Sequence, residues 1–223
     1  MMKLSMRLAA AIILALACGA AAHAADHLIT FEEPGLTAMS NSPGSAVPVG
    51  SRLHDQFLGL GASFSSGAGY VAIVNHGCCT ASVPNIIGGT TSGGTLSYGT
   101  PITITFFDPA DTSAPGVTDF VQIRGDFIPI PGTATMNAYD ALGGLLGSVT
   151  RDDVATGVDL NLSFAGIHSV MLTQTSATIG LDNFAFDNVT AVPTTPAIPE
   201  PETYALMLAG LGVLGWVARR RRR

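Results

Sequence analysis

The amino-acid sequence predicts an all-β fold: a two-sheet sandwich of jelly-roll type, with an N-terminal signal peptide before it and one C-terminal transmembrane helix after it. Three observations carry this reading. The segment from residue 25 to residue 198 holds 22 Gly and 11 Pro, many Thr and Ser, and few helix formers, the composition of a turn-rich β domain. Within it, short runs alternate apolar and polar residues at period two between turn signals. The long apolar runs lie at the two ends of the chain, so a mean hydropathy of +0.41 does not make the middle a membrane protein. At 174 residues the middle is long enough for one core and too apolar to stay disordered.

At the N-terminus, Lys3 and Arg7 form a positive region and residues 8–17 an apolar one. Ala22-His23-Ala24 is a small-x-small cleavage site, so residues 1–24 read as a signal peptide and the mature chain begins near Ala25. The apolar run is short for a membrane span, which needs about 20 residues. Cys18 lacks the upstream Leu of a lipoprotein site.

Residues 25–190 read as the sandwich. Residues 27–32 open it, followed by strands at 57–65 and 70–75. Residues 101–107 alternate clearly, with Ile102, Ile104 and Phe106 on one face. Residues 118–124 stop at Gly125. Strands at 133–139 and 145–150 flank Gly143-Gly144, a hairpin turn. Val158, Leu160, Leu162 and Phe164 alternate again, and strands at 167–173 and 179–186 close the domain. Roughly ten short, evenly spaced strands fit two packed sheets. Residues 191–202 form a Pro/Thr linker, extended by composition.

Residues 203–223 end the chain. Residues 203–218 carry no charge, and as a helix they would be about 24 Å long against a hydrocarbon core of roughly 30 Å. Flanking residues or local thinning cover the shortfall. Trp216 lies near one boundary. Arg219, Arg220, Arg221, Arg222 and Arg223 stop the segment and remain cytoplasmic, so the domain is held in the periplasm.

Pro199-Glu200-Pro201, a short apolar helix and a terminal Arg cluster together resemble the PEP-CTERM sorting signal of Gram-negative bacteria. The resemblance implies an exosortase, a membrane-embedded transpeptidase, that recognises Pro199, Glu200 and Pro201 and processes the tail near them. It also implies export to the cell surface or extracellular matrix and association with exopolysaccharide. Physically, two prolines fix φ and remove N–H donors, which keeps the tripeptide out of the helix. Ile29-Thr30-Phe31-Glu32, Asp55-Gln56-Phe57 with Leu60-Gly61-Ala62-Ser63-Phe64-Ser65, Ser82-Val83-Pro84-Asn85 and Gly180-Leu181-Asp182-Asn183-Phe184-Ala185-Phe186 resemble exported PEP-CTERM sandwich domains. Those domains resemble carbohydrate-binding modules in layout.

Residues 25–198 carry 14 acids against 3 bases, Arg52, Arg124 and Arg151, a net charge of −11. Nucleic acid is excluded as a partner, because phosphate binding needs clustered cations. The same acidity makes calcium a candidate cofactor. Glu32 and Glu33 end the first strand, Asp182 lies in the last, and pairing of the terminal strands would bring these carboxylates together; calcium takes six to eight hard oxygens. Asp55 and Asn85 are looser candidates. Solvated strand ends or an Asx turn at Asp182-Asn183 fit the same residues.

Cys78-Cys79 are the cysteines left in the mature chain, in an oxidising compartment. Adjacent Cα atoms are about 3.8 Å apart, below the usual disulfide span of about 4.4 Å or more, so a vicinal bridge is strained but chemically accessible. Free thiols, an intermolecular bridge and a soft-metal site with His76 remain alternatives. Catalysis finds no support: GxSxG and HExxH are absent, and His27, His54, His76 and His168 are scattered. Asp152-Asp153 would point to opposite faces of a strand and are read as a turn cap. For sugar binding, Tyr70, Tyr98, Tyr139 and Arg124 are available. The sequence therefore describes a non-enzymatic structural or adhesive protein, with a carbohydrate-binding module as the alternative and a hydrolase behind it.

Overall fold

The computed structural model describes residues 24–193 except 78–81, 127–131, 154–157 and 176–179. The predicted signal peptide, Cys78, Cys79, Pro199, Glu200, Pro201, the 203–223 helix and Arg219, Arg220, Arg221, Arg222 and Arg223 lie outside the described residues. Among those described, no helix is long and apolar enough to cross a membrane.

The chain forms β1 (His27–Ile29), β2 (Met39–Ser40), β3 (Arg52–Leu53), β4 (Ala62–Ser65), β5 (Val71–Asn75), β6 (Asn85–Gly88) and β7 (Ile102–Asp108). It continues with β8 (Asp111–Asp126), β9 (Gly132–Tyr139), β10 (Leu145–Asp153), β11 (Val158–Ile167), β12 (Ser169–Gln174), β13 (Gly180–Phe186) and β14 (Thr190–Ala191). The all-β expectation holds.

Two layers result. The first runs β11-β8-β13, then β6 and β5; β1 shares the edge of β13 with β6, and β2 and β3 border β5. The second runs β10-β9-β12-β7, with β4 on the outer side of β7. The β7–β8 hairpin joins them through Phe107↔Pro115, so hydrogen bonding passes from one layer to the other. Alternation sets what lies between. Ile102, Ile104 and Phe106 of β7 and Ala134, Met136 and Ala138 of β9 are at most 1% exposed. Val121 and Ile123 of β8 face them and belong to the same core. Phe64 of the second layer meets Phe184 of the first edge to face, 6.0 Å between centroids, and Phe106 meets Phe186 at 5.5 Å. A smaller cluster, including Val74, Ile86, Leu96 and Tyr98, covers the back of β5 and β6.

The terminal strands do pair, His27↔Phe186 to Ile29↔Phe184. Several boundaries differ from expectation. Residues 57–61 are a 3-10 turn (Leu58–Leu60) closed by Gly61 in the left-handed region, φ 91°, and the strand starts only at Ala62. Asp152 and Asp153 do not cap a turn; they extend β10, with Asp152 opposite Thr133. The last strand reaches Ala191, and Val192 N–H donates to the Pro115 carbonyl at 3.0 Å, so the fold extends into the predicted linker.

Candidate functional site

Three of the four ectodomain motifs meet at one place. β13 has β8 along one edge; β6 covers the upper part of its other edge and β1 the lower. Where β1 ends and β6 begins, the backbone turns sharply. Phe31 has φ 62° and Asn183 φ 47°, the non-Gly residues with positive φ among those described. Such conformations cost energy and persist only where the surroundings hold them. Here the holding groups are carboxylates.

Asp182 has no solvent exposure. Its carboxylate accepts the Ser82 N–H at 2.6 Å, the Ser82 hydroxyl at 2.9 Å and the Asn183 N–H at 2.6 Å. Glu32 accepts the Asn85 N–H at 2.6 Å and the Asn85 side-chain amide at 2.8 Å. That amide also donates to the Phe31 carbonyl at 3.0 Å. Glu33 turns back on its own strand, accepting from Thr30 N–H at 2.8 Å and the Thr30 hydroxyl at 3.2 Å. The Ser82 hydroxyl reaches the Thr30 carbonyl at 2.9 Å, tying the groups together. Each predicted calcium ligand is thus engaged by a donor of the chain. No set of three or more His, Cys, Asp or Glu side chains that could hold a metal occurs among the described residues. The geometry describes a clasp between strands. Ser82 was the partner that sequence spacing could not assign to Asp182, 100 residues away.

Beside it lies a groove of about 360 Å³ lined by Glu33, Pro34, Gly35, Leu36, Gln56 and Phe57. One Glu33 oxygen, Oε2, is buried there without a hydrogen bond. The Gln56 side chain is already spent, accepting from His54 N–H and donating to the Arg52 carbonyl.

The other candidates are separated. Ser63 donates to Asp55 at 2.9 Å, and His54 Nδ1 sits 2.9 Å from the Phe64 carbonyl, so the three do not form a serine–imidazole relay. His168 Nδ1 meets the Gly116 carbonyl at 2.8 Å, and His27 Nε2 meets Asn188 at 3.0 Å. Tyr98 is 3% exposed and donates to Asn41; burial pushes its hydroxyl well above the ordinary tyrosine range. It is therefore no sugar platform. Tyr70 lies under the Arg52 guanidinium, 4.5 Å from its ring centre. Tyr139 stands on β9 and Arg124 on β8, in different layers. Cys78 and Cys79, with Pro199, Glu200 and Pro201, are outside the described residues.

Residues 197–223 match the PEP-CTERM protein-sorting motif. The chain thus carries the signal of secreted proteins sorted through the membrane, with exosortase as the processing partner. No curated protein matches it. Among solved structures, a DUF4465 family protein from Bacteroides caccae is 13% identical, covering 74% of this chain and 100% of that one, TM-score 0.39. The enzymatically active domain of bacteriophage CBA120 tailspike protein 4 is 16% identical over 61% of this chain and 20% of that one, TM-score 0.30. A CBM4 structure is 14% identical over 74% and 97%, TM-score 0.23. None of these likenesses bears on what the chain binds or does.

Proposed function

We propose that this chain is a structural or adhesive protein of the cell envelope, held at the inner membrane by its tail and released to the surface or matrix by exosortase. The observation that carries the reading is the sorting motif at residues 197–223. The position of the last strand supports it. Val192 is bonded to the domain, and the seven residue steps from there to Pro199 span at most about 25 Å. Exosortase would therefore work within that distance of a folded domain. In this reading the domain performs no catalysis, and its polar clasp serves stability.

The test is processing in an exosortase-bearing host. Replacing Pro199, Glu200 and Pro201 by Ala should leave the full-length chain in the membrane fraction, with the shortened form lost. Unchanged conversion to the shortened form would remove the proposal.

A further inference from the structure

The outward face of the second layer has a composition unlike the rest of the domain. On three neighbouring strands the outward positions read Thr-x-Thr. They are Thr133 and Thr135 on β9, Thr173 on β12 with Thr175 just beyond its end, and Thr103 and Thr105 on β7. Register aligns them. Thr173 lies opposite Thr135, and Thr175 N–H donates to the Thr133 carbonyl at 3.0 Å, which puts two hydroxyl rows across β9 and β12. Met171 lies opposite Thr103 and Ser169 opposite Thr105, continuing the grid onto β7. The flanking strands extend it, with Ser148 and Thr150 on β10 and Ser65 on β4; Ser63 of β4 is buried, its hydroxyl bonded to Asp55, and closes the face on that side.

Hydroxyls already touch across the strands: Thr135 and Thr150 at 2.8 Å, Thr133 and Thr175 at 3.0 Å. Strands lie about 4.8 Å apart and alternate residues about 6.7 Å, so the hydroxyls form a two-dimensional array. Asp152, on the edge strand, is the charge within these rows, and Asp55 borders them beside Ser63. By contrast, the outward face of the first layer pairs Asp159 with Arg124. A domain with a net charge of −11 between residues 25 and 198 thus confines charge on this broad face to its two edges. At its lower rim Tyr139 stands opposite Leu145, which is 61% exposed.

We propose that this face lies against an uncharged, polyhydroxylated polymer, a neutral polysaccharide chain. The proposal rests on the adhesive reading above and names its surface. Neutrality decides the class: a polyanion would need cations, and none stands in the rows. Hydroxyls both donate and accept, so they match a partner whose polar groups are also hydroxyls. The threonine methyls, Met171 and Tyr139 supply apolar surface for the C–H faces of sugar rings. Sheets twist by roughly 20–25° from strand to strand. A polymer can follow that twist, whereas a rigid lattice such as ice cannot keep register across five strands.

The test is co-sedimentation of the full chain, in mild detergent, with cellulose, starch granules and cross-linked dextran, and with alginate gel as the anionic control. Retention on at least one neutral polymer and none on alginate is expected. Thr103→Glu with Thr135→Glu should weaken retention about tenfold or more, since several hydrogen bonds of about 1 kcal/mol each are replaced by buried charge. Thr103→Val with Thr135→Val keeps the β-branched shape and should weaken retention by about half that free energy. Asn161→Glu, on the other layer, should change nothing. No retention on any neutral polymer, equal retention by both double variants, preference for alginate, adsorption to ice, or self-association lost in the variants would each overturn the proposal. Tail processing is read separately, so its failure and this one are distinguishable.

Discussion

Asp182 has no exposure, whereas Glu32 and Glu33 of the same clasp are partly exposed. Its donors, Ser82 and Asn183, hold the left-handed turn at Asn183 and the start of the loop before β6. Removing an acceptor that satisfies buried N–H groups costs more than one hydrogen bond. Asp182→Ala should lower stability by about 3 kcal/mol in urea unfolding, and Ser82→Ala by about 1 kcal/mol; equal curves for wild type and Asp182→Ala would show that the clasp contributes nothing. Because Glu32, Glu33 and Asp182 are occupied by protein donors, calcium should move the melting temperature by less than about 1 °C. A larger rise, abolished by Glu33→Gln, would contradict this. Tyr98 gives a pH signature. Its raised folded-state value means that the folded chain keeps a proton which the unfolded chain releases above about pH 10. Stability from this group is complete below that pH and falls as pH rises toward the folded value. Tyr98→Phe should flatten the decline in melting temperature above pH 10. Sequence pattern singled out Asp182 because terminal strands pair. It missed Ser82 because that partnership depends on a bulge in β13 between Asp182 and Phe184.

At the level of strands, most of the domain was legible because alternation with β-branched residues is a local signal. β7 is nearly as read, and its polar half, Thr103 and Thr105, was as visible as its apolar half. The missed pieces had misleading punctuation. β6 (Asn85–Gly88) has two apolar residues followed by Gly88-Gly89, which reads as a turn. The strand expected at 118–124 begins at Asp111 in β8, and its first half, with Pro115-Gly116, pairs with β7 and β14. Pro is tolerated there because its carbonyl, not an N–H, is used, accepting from Val192. Gly116 sits where the layers exchange the chain: a Cβ would lie 2.5 Å from the Phe107 carbonyl carbon and from Val189 Cγ1. Gly61, with φ +91°, abuts the same two residues, at 2.8 Å. Gly116→Ala should therefore cost about 2 kcal/mol by overpacking backbone against backbone. Gly99, with no atom within 4 Å of its Cβ position, is the control. Comparable unfolding midpoints for the two variants would dismiss the tight junction.

Across the whole molecule, one core spans both layers, from Phe31 and Phe64 to Phe184 and Phe186. Thermal unfolding should then be a single transition by every probe, and two separated transitions would mean the layers are independent. The two-layer plan was legible from composition and spacing; the crossover through β8, which decides which strands face which, was not, since it depends on pairings far apart in the chain.

Asp26 accepts from Asn188 at 2.7 Å, a contact between residues 162 positions apart. Made N-terminus first, the opening strand exists long before the strand it must join. It has to wait for its β13 partner until nearly the whole domain has been made. Completion of the sandwich therefore waits for the strands that stand nearest in the chain to the sorting motif at residues 197–223.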